Sequence, residues 1–441
     1  MRIAVVGSGI AGLATAWLLS RRHEVVVLEA NGYLGGHTHT HALELEGQTL
    51  AVDTGFIVHN ERNYPRLTAM FRELGVATRP TTMSFSVHNA GTGLEYNATS
   101  LNALFCQRGN LVSARFWRML ADLVRFYRSA PALLQADDPD LTIGQYLRQH
   151  HYSEAFCEDH LVPMACALWS APGRRAEQIP ARHLIAFMQH HQMLQLRGRP
   201  DWRVVEGGSS AYVAALTRNW KASARVNTPV LGVRRDAQGV ELTLPNGRER
   251  YDQLVLACHS DQALAMLKDA TDTERAVLGA IGYQRNDVAL HTDPRLLPRN
   301  RKAWAAWNAY VAPGADENEC TVSYCMNLLQ HLPVQTPVIV TLNRTHAIDP
   351  ARVIKRLRYE HPVFTEQAIA AQQRRWDIQG RRRTWYAGAY WGWGFHEDGM
   401  RSATEVASAL GVDWPEIASL TQEEGTCHHP SGVGLHGLEV A

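Results

Sequence analysis

The period of the apolar positions changes twice near the start of the chain. Ile3 to Val6 is a short, wholly apolar run read as a fully buried strand. Gly7 to Gly12 form a turn, and Leu13 to Ser20 continue as an apolar helix. His23 to Leu28 is a second, β-branched strand that closes at Glu29. Strand, helix and strand in this order require a right-handed crossover and a parallel sheet.

The middle of the chain follows a helical period instead. Phe116, Leu120, Leu123, Val124 and Tyr127 recur at helical spacing between Ser113 and Leu134, with arginines between them. Thr142 opens another helix with the capping-box sequence TIGQ, in which Gln145 is the reciprocal partner. Helical patterning returns from Ala181 to Leu194. Strand signals follow: Val240 to Leu244 and Arg248 to Tyr251 flank Asn246-Gly247, a hairpin dipeptide, and Asp252 to Ala257 is a buried strand. A strand-rich region spans 284–345, then a helical stretch, then a glycine-aromatic segment over 384–399. With no internal repeat or flexible linker in sight, the pattern predicts two domains that exchange the chain repeatedly.

Composition narrows the function classes. The 441 residues carry 44 basic and 43 acidic side chains, a balance that points neither to a nucleic-acid partner nor to an anionic bilayer. Residues 3–19 are nearly all apolar and follow Arg2, as in a signal peptide or anchor. The stretch is short, is broken by Gly7, Gly9 and Gly12, and stops at Arg21-Arg22, so strand, turn and helix explain it better. Seven scattered cysteines, Cys427 among them, lack zinc spacing and suit reduced thiols in a cytoplasmic protein.

The turn itself carries chemistry. GSGIAG sets Gly7, Gly9 and Gly12 in the GxGxxG pattern between a strand and a helix, with Ile10 and Ala11 between the glycines. Such a turn lets main-chain amides at a helix N-terminus approach a pyrophosphate. Glu29, followed by Ala30, ends the next strand where an acid can accept bonds from ribose hydroxyls, which disfavours a 2′-phosphate. From this motif alone NAD remains open, and the alternative to a nucleotide site is a tight helix–strand junction with a surface glutamate.

Past Glu29 the chain reads ANGYLGGHTHT, and here it resembles the flavin-containing amine oxidase superfamily, which includes amine oxidases, protoporphyrinogen oxidase and carotenoid desaturases. The resemblance implies FAD, with Gly35-Gly36 passing close to its phosphates; His37 stands where the family usually has arginine. Asp53-Thr54-Gly55 resembles a D-x-G segment lining the flavin, so Thr54 and Gly55 are expected there. Val230 is the candidate adenine neighbour, and Gly207-Gly208-Ser209 resembles the glycine pair where the chain returns to the cofactor domain. Tyr386-Ala387-Gly388 and Glu397-Asp398-Gly399-Met400 resemble the closing flavin motif, which implies cofactor contacts at Gly388, Asp398, Gly399 and Met400. The family's Ser-Gly is Ser402-Ala403 here. No cysteine stands in this motif to tether a flavin, so non-covalent binding is expected.

The substrate side is less defined. Tyr390, Trp391 and His396 are the pocket candidates, the rings of this segment serving otherwise to pack the domain junction. GYQRNDVALHTD lacks the lysine that amine oxidases often place near the flavin, which leaves a dehydrogenase or desaturase on the same scaffold open. His37, His39 and His41 alternate, so a strand would align their imidazoles, yet nothing nearby completes a ligand set and no metal is expected. His150-His151 and His190-His191 read as helix-face residues. The helix ARFWRMLADLVRFYR is a domain helix with solvated arginines or one that lies on a membrane surface. Lipid-like substrates would suit the second reading, and bacterial relatives in this resemblance are often linked with fatty-acyl modification.

The expected fold is α/β: a Rossmann-like FAD-binding domain (1–75, 200–282, 380–425) interleaved with an α+β substrate domain (76–199, 283–379), amine-oxidase-like, ending in a tail at 426–441. The expected activity is FAD-dependent oxidation of a C–N or C–C bond in a small amine, lipid or polyene by hydride transfer to flavin N5. The alternatives are a lipid, fatty-acyl or polyene desaturase on that scaffold, and a dinucleotide-binding protein without catalysis.

Overall fold

The computed structural model describes residues 1–135, 141–169, 176–313 and 320–417. Strand β1 (Arg2–Val6) is the middle of a five-stranded sheet with β2 (Glu24–Leu28), β3 (Ser223–Arg225), β4 (Gln253–Leu256) and β5 (Thr384–Tyr386). The order is β3-β2-β1-β4-β5 and every pairing is parallel, with Ala4 opposite both Val26 and Leu254. Helix α1 (Ile10–Leu19) joins β1 to β2 on one side, whereas β4 on the other side is more than two hundred residues away in the chain. The loops leaving the carboxyl ends of β1 and β4 therefore diverge, the place where doubly wound sheets bind ligands.

Side-chain alternation along β1 divides its contacts. Ile3 and Val5 join Leu13 and Trp17 of α1 and Met400, Ala403 and Ala407 of the last long helix in one core. Ala4 and Val6 join Val233, Leu242 and Leu256 in another. Both faces of the sheet are covered, which is why its strands read as unbroken apolar runs. Burying each such valine, leucine or isoleucine contributes roughly 1.5–3 kcal/mol.

The second layer is a three-stranded antiparallel sheet, Gly232–Asp236, Gly239–Leu244 and Gly247–Tyr251. Leu244 pairs with Gly247, so the tight turn is Pro245-Asn246, one residue before the expected Asn246-Gly247. Gly247, at φ 135°, opens the returning strand and takes the conformation that side chains avoid.

A seven-stranded mixed sheet runs Val353–Val363, Gly282–His291, Ile339–Leu342, Cys320–Cys325, Trp307–Val311, Phe85–Asn89, Leu94–Asn97. Four further helices matter below: α2 (Pro65–Leu74), α3 (Ala114–Ser129), α4 (Ala181–His190) and α5 (His396–Ala409). Helix α3 starts where Ser113 caps Phe116 N and runs to Ser129, and a 3₁₀ helix over Ala130–Gln135, which contains Pro131, continues the helical patterning expected to Leu134. The Thr142 capping box forms: Thr142 Oγ1 accepts Gln145 N at 3.2 Å and Gln145 Oε1 accepts Thr142 N at 2.8 Å. Helix α1 begins at Ile10, so Gly12 lies inside it and the turn is shorter than expected. Residues 418–425, the tail at 426–441 and Cys427 lie outside the described residues. Among the described residues no helix is long and apolar enough to cross a membrane.

Candidate functional site

The carboxyl end of β1 opens directly onto the amino end of α1. Gly7 has φ +99°, and a Cβ there would fall 2.8 Å from Ala257 O. A Cβ at Gly12 would fall 2.0 Å from Gly7 O, so turn and helix are in backbone contact. Gly9 differs: a Cβ there meets nothing within 4 Å. All ten residues of α1 are buried, Ile10 and Ala11 included, yet no side chain caps its N-terminus and no acid stands in its first turn. Unpaired N–H groups at such an end need a partner, and the helix dipole favours an anionic one.

The second glycine loop closes on this mouth. Gly35 donates its N–H to Ser8 O at 3.0 Å, and Gly36, at φ +60°, would set a Cβ 3.0 Å from Gly9 Cα. Glu29 is buried at the end of β2. Its Oε2 accepts Ser8 N (2.9 Å) and Oγ (2.6 Å), and its Oε1 accepts Asn31 N (2.8 Å) and Nδ2 (2.9 Å). These four donors fill the carboxylate's lone-pair positions, so a ribose hydroxyl must replace a side-chain donor to bind it. Ala30 is exposed beside it. Val230 is buried among Val6, Leu28 and Leu256 near the same sheet edge.

The closing segment reaches the same mouth. A Cβ at Gly399 would fall 2.7 Å from Ile10 Cγ2, and Met400 is buried in the α1 core. Gly388, just after β5, donates its N–H to Ser402 Oγ at 3.0 Å, so the serine ties that turn to α5. Asp398 turns its carboxylate into its own loop, where Oδ2 accepts Trp393 N (3.0 Å) and Phe395 N (3.1 Å). Glu397 caps α2 by accepting Arg66 N and Leu67 N, each at 3.0 Å, and burial pushes its carboxyl up to about 7.

Between the parallel sheet and the seven-stranded sheet stands a group of imidazoles. His37 lies 5.0 Å from the Tyr359 ring, 5.4 Å from His361 and 6.2 Å from His259, between ring centroids. Its Nε2 is buried and has no hydrogen-bond partner among the described residues. Burial first, then these neighbouring imidazoles, holds its pKa well below the ordinary value, so it is neutral. His396 stacks on Phe56 at 3.7 Å and bonds Thr38 Oγ1 (3.1 Å) and Tyr212 OH (3.3 Å); burial lowers it to about 3. Thr54 Oγ1 bonds Tyr359 OH at 2.8 Å, and a Cβ at Gly55 would fall 2.0 Å from His37 O. Asp53 is turned away, gripping Ser209 N, Ser209 Oγ, Thr40 Oγ1 and Gln330 Nε2.

The other two pocket candidates sit on the parallel-sheet side. Trp391 is packed in the core with its indole N–H on Tyr386 O at 3.0 Å. Tyr390 lies beside it with a buried hydroxyl that has no partner among the described residues. The three imidazoles expected along one strand are not in one, since it begins at Thr40: His39 and His41 lie 4.1 Å apart, His39 Nδ1 bonds Tyr359 OH at 3.1 Å, and the His37 ring lies 5.0 Å from that of Tyr359. Lys355, on the strand beside GYQRNDVALH, approaches His41 Nδ1 at 3.2 Å.

An aromatic wall continues from Phe395 that sequence reasoning missed. Phe187 stacks on Phe395 at 5.1 Å and meets Trp169 at 5.1 Å; His183 stacks on Phe364 at 5.0 Å. His191 is buried against Phe187 (4.0 Å) and Phe395 (5.7 Å), not on a helix face, because α4 ends at His190 and turns it inward. His150 and His151 are exposed just past the end of a helix, Ile143–Gln149. The spacing of Phe187 and His191, one helical turn apart, was the available signal.

Among the described residues no group of three or more His, Cys, Asp or Glu side chains is disposed to hold a metal ion. The model of the flavin containing amine oxidoreductase family matches residues 10–302. The chain belongs to that family. It is accordingly an FAD-dependent oxidoreductase with an amine-oxidase-like fold, which sets aside the reading without catalysis. Three solved structures share this fold. One is assigned as a protoporphyrinogen oxidase from Exiguobacterium sp. 255-15 (17% identity, 93% of this chain and 98% of that one, TM-score 0.67). Another is the CLA-producing fatty acid isomerase from P. acnes (16%, 93% and 98%, 0.64). The third is cyclohexylamine oxidase from Brevibacterium oxydans IH-35A (18%, 93% and 98%, 0.61). A comparison with curated protein sequences returned no match.

The residues present suit this flavoprotein's cofactor. The uncapped mouth of α1, the space at Gly9 and the unpartnered His37 Nε2 leave polar groups that a bound dinucleotide would satisfy.

Proposed function

We propose that Gly9, Ile10, Ala11 and Gly36 hold the FAD diphosphate, that Glu29 and Ala30 bind the adenosine ribose, and that Val230 borders the adenine. In this reading Gly7, Gly12 and Gly35 shape the mouth, while Gly388, Asp398, Gly399 and Met400 build the closing loop against it. The single observation that carries it is the buried, uncapped N-terminus of α1, with open space at Gly9. The cofactor segments are 1–75, 200–282 and 380–425, and the substrate is covered by 76–199 and 283–379; the five-stranded and seven-stranded sheets supply the support for that division.

Bound there, FAD supplies a hydride acceptor at N5 for a C–N or C–C bond. The chain's own part is to bind, orient and exclude water. His37, with Thr54 and Gly55 beside it, offers a neutral imidazole nitrogen to the junction. His396, clamped by Phe56, Thr38 and Tyr212, fixes the start of α5. Phe187, Phe364, Phe395 and Trp169 keep the substrate side apolar.

That wall favours an apolar substrate, lipid or polyene, over a charged amine. Nearby carboxylates are already engaged: Asp53 and Asp398 by amides and hydroxyls, Glu397 by α2, and Glu360 by Arg285 at 2.9 Å. Among the described residues, these four are therefore not free to receive an ammonium group. The test is anaerobic mixing of the FAD-loaded protein with unsaturated fatty-acyl lipids, polyenes and amines. Loss of oxidised-flavin absorbance with the lipids or polyenes is expected. Loss with a diamine alone would overturn the substrate preference, and loss with none of them would overturn the oxidation reading.

A further inference from the structure

Two stretches of the chain contain no acidic residue at all: 96–121 and 294–313. The fold lays them side by side. Asn300 Nδ2 donates to Cys106 O at 3.0 Å, Asn97 Nδ2 donates to Trp304 O at 2.9 Å, and Glu95 accepts both Arg299 N and Asn300 N. Seven cations lie in these stretches. Arg115 is paired with Glu158 and Asp159, and Arg295 with Asp293. Arg108, Arg118, Arg299, Arg301 and Lys302 are exposed and have no ion pair among the described residues. On a chain whose net charge is +1, this is a concentrated basic surface.

The same surface exposes large apolar side chains. Leu101 is 76% exposed, Val112 89%, Trp117 50% and Leu111 49%. Trp117 adjoins the others: its Nε1 donates to Leu111 O at 2.9 Å, and its ring lies 5.7 Å from that of Phe105, whose N–H donates to Leu101 O at 3.0 Å. Arg108 bridges Phe105 O and Asn102 Oδ1, so its guanidinium is held among these residues with its charge uncompensated. Apolar side chains ringed by unpaired cations match the boundary of an anionic bilayer, where carbon enters the acyl region and arginine meets lipid phosphates.

We propose that this face, built from Leu101, Arg108, Leu111, Val112, Trp117 and Arg299, docks the protein on an anionic lipid surface. The observations behind it are separate from those at the cofactor mouth. Attraction of a basic side chain to such a surface is worth about five-fold in partition for each residue.

The experiment is flotation of the FAD-loaded full chain with vesicles of phosphatidylglycerol and phosphatidylcholine, and with phosphatidylcholine alone. Partition onto the anionic vesicles, falling as salt rises, is expected. The pair Arg108→Glu with Arg299→Glu should lower it about 25-fold or more, and Leu111→Ser with Val112→Ser should also weaken it, with flavin absorbance and thermal midpoint unchanged. Equal partition onto both vesicle types, no partition at all, or partition indifferent to either pair would overturn the proposal. So would wild-type protein that ignores vesicles yet is held on a heparin column through the same arginines, which would make the face a polyanion reader.

Discussion

The backbone of Gly36 is pressed against that of Gly9, so closely that a Cβ on Gly36 would fall 3.0 Å from the Gly9 Cα. Two glycine loops, one after β1 and one after β2, thus close the sides of a single opening at the head of α1. Gly36→Ala would add this contact to a φ of +60°, a conformation that costs an L-residue about 1–2 kcal/mol. The variant should fold with a lowered thermal midpoint and hold FAD at least ten-fold more weakly. Equilibrium dialysis of FAD against the variant checks it; unchanged affinity would show that the opening tolerates narrowing.

Glu29 holds Ser8 and Asn31 as well as the proposed ribose site. Removing its carboxylate in Glu29→Ala leaves buried amides without acceptors, costing about 1–3 kcal/mol. FAD affinity should fall further than stability does, and Glu29→Gln should recover part of the stability and little of the affinity. Denaturant unfolding beside FAD titration separates the two effects.

Acid should unfold this protein through its imidazoles. Burial lowers His59 and His361 to about 4 and His183, His191 and His396 to about 3, and lowers His37 as well. Each depressed imidazole contributes stability that is present above its unfolded pKa near 6.5 and is lost as pH falls through the folded value. The linkage is about 1.4 kcal/mol for every unit by which folded and unfolded pKa differ. Asp53, raised by burial to about 6, and Glu397, to about 7, act oppositely: their contribution is lost as pH rises through those values. Burial raises Asp159 and Asp398 as well, but it also lowers His41, His160 and His291 to about 4, so the imidazoles outweigh the carboxylates below pH 6.5 and the thermal midpoint should drop steeply between about pH 6.5 and 4. A midpoint that is flat across that window would contradict the neutral-imidazole account.

Asp53 is a structural hub. Its carboxylate joins the strand Gln48–Asp53 to Ser209 and to Gln330, far apart in sequence. Asp53→Ala should cost about 3–5 kcal/mol by stranding several buried donors. Chemical unfolding measures this, and a loss under 1 kcal/mol would show that water replaces the carboxylate.

Local physics made part of this molecule readable in advance. The β-α-β unit, the GxGxxG turn and the Thr142 capping box each depend on residues within a few positions of one another. Their strand periods, glycines and caps are visible in sequence order. The hairpin turn was displaced because Pro245, Asn246 and Gly247 all favour turns, and only strand register decides among them. The start of α1 at Ile10 was likewise hidden by small residues that suit turn and helix alike. The aromatic wall was not legible, since Trp169, Phe187, Phe364 and Phe395 come from four elements that only tertiary packing unites. Trp391 shows the converse: a ring beside the closing motif is indistinguishable in sequence from one facing a substrate, yet it serves the core.

The account rests on a nucleotide phosphate occupying the open position at Gly9, and nucleotide extraction from Gly9→Val tests that most directly. A Cβ there meets nothing within 4 Å, at a φ of −66°, so the fold should be kept. Wild-type protein should release an equimolar amount of FAD on denaturation, and Gly9→Val almost none, with matching circular dichroism and thermal unfolding of the two FAD-free forms. FAD retained by Gly9→Val at the wild-type ratio would contradict the account.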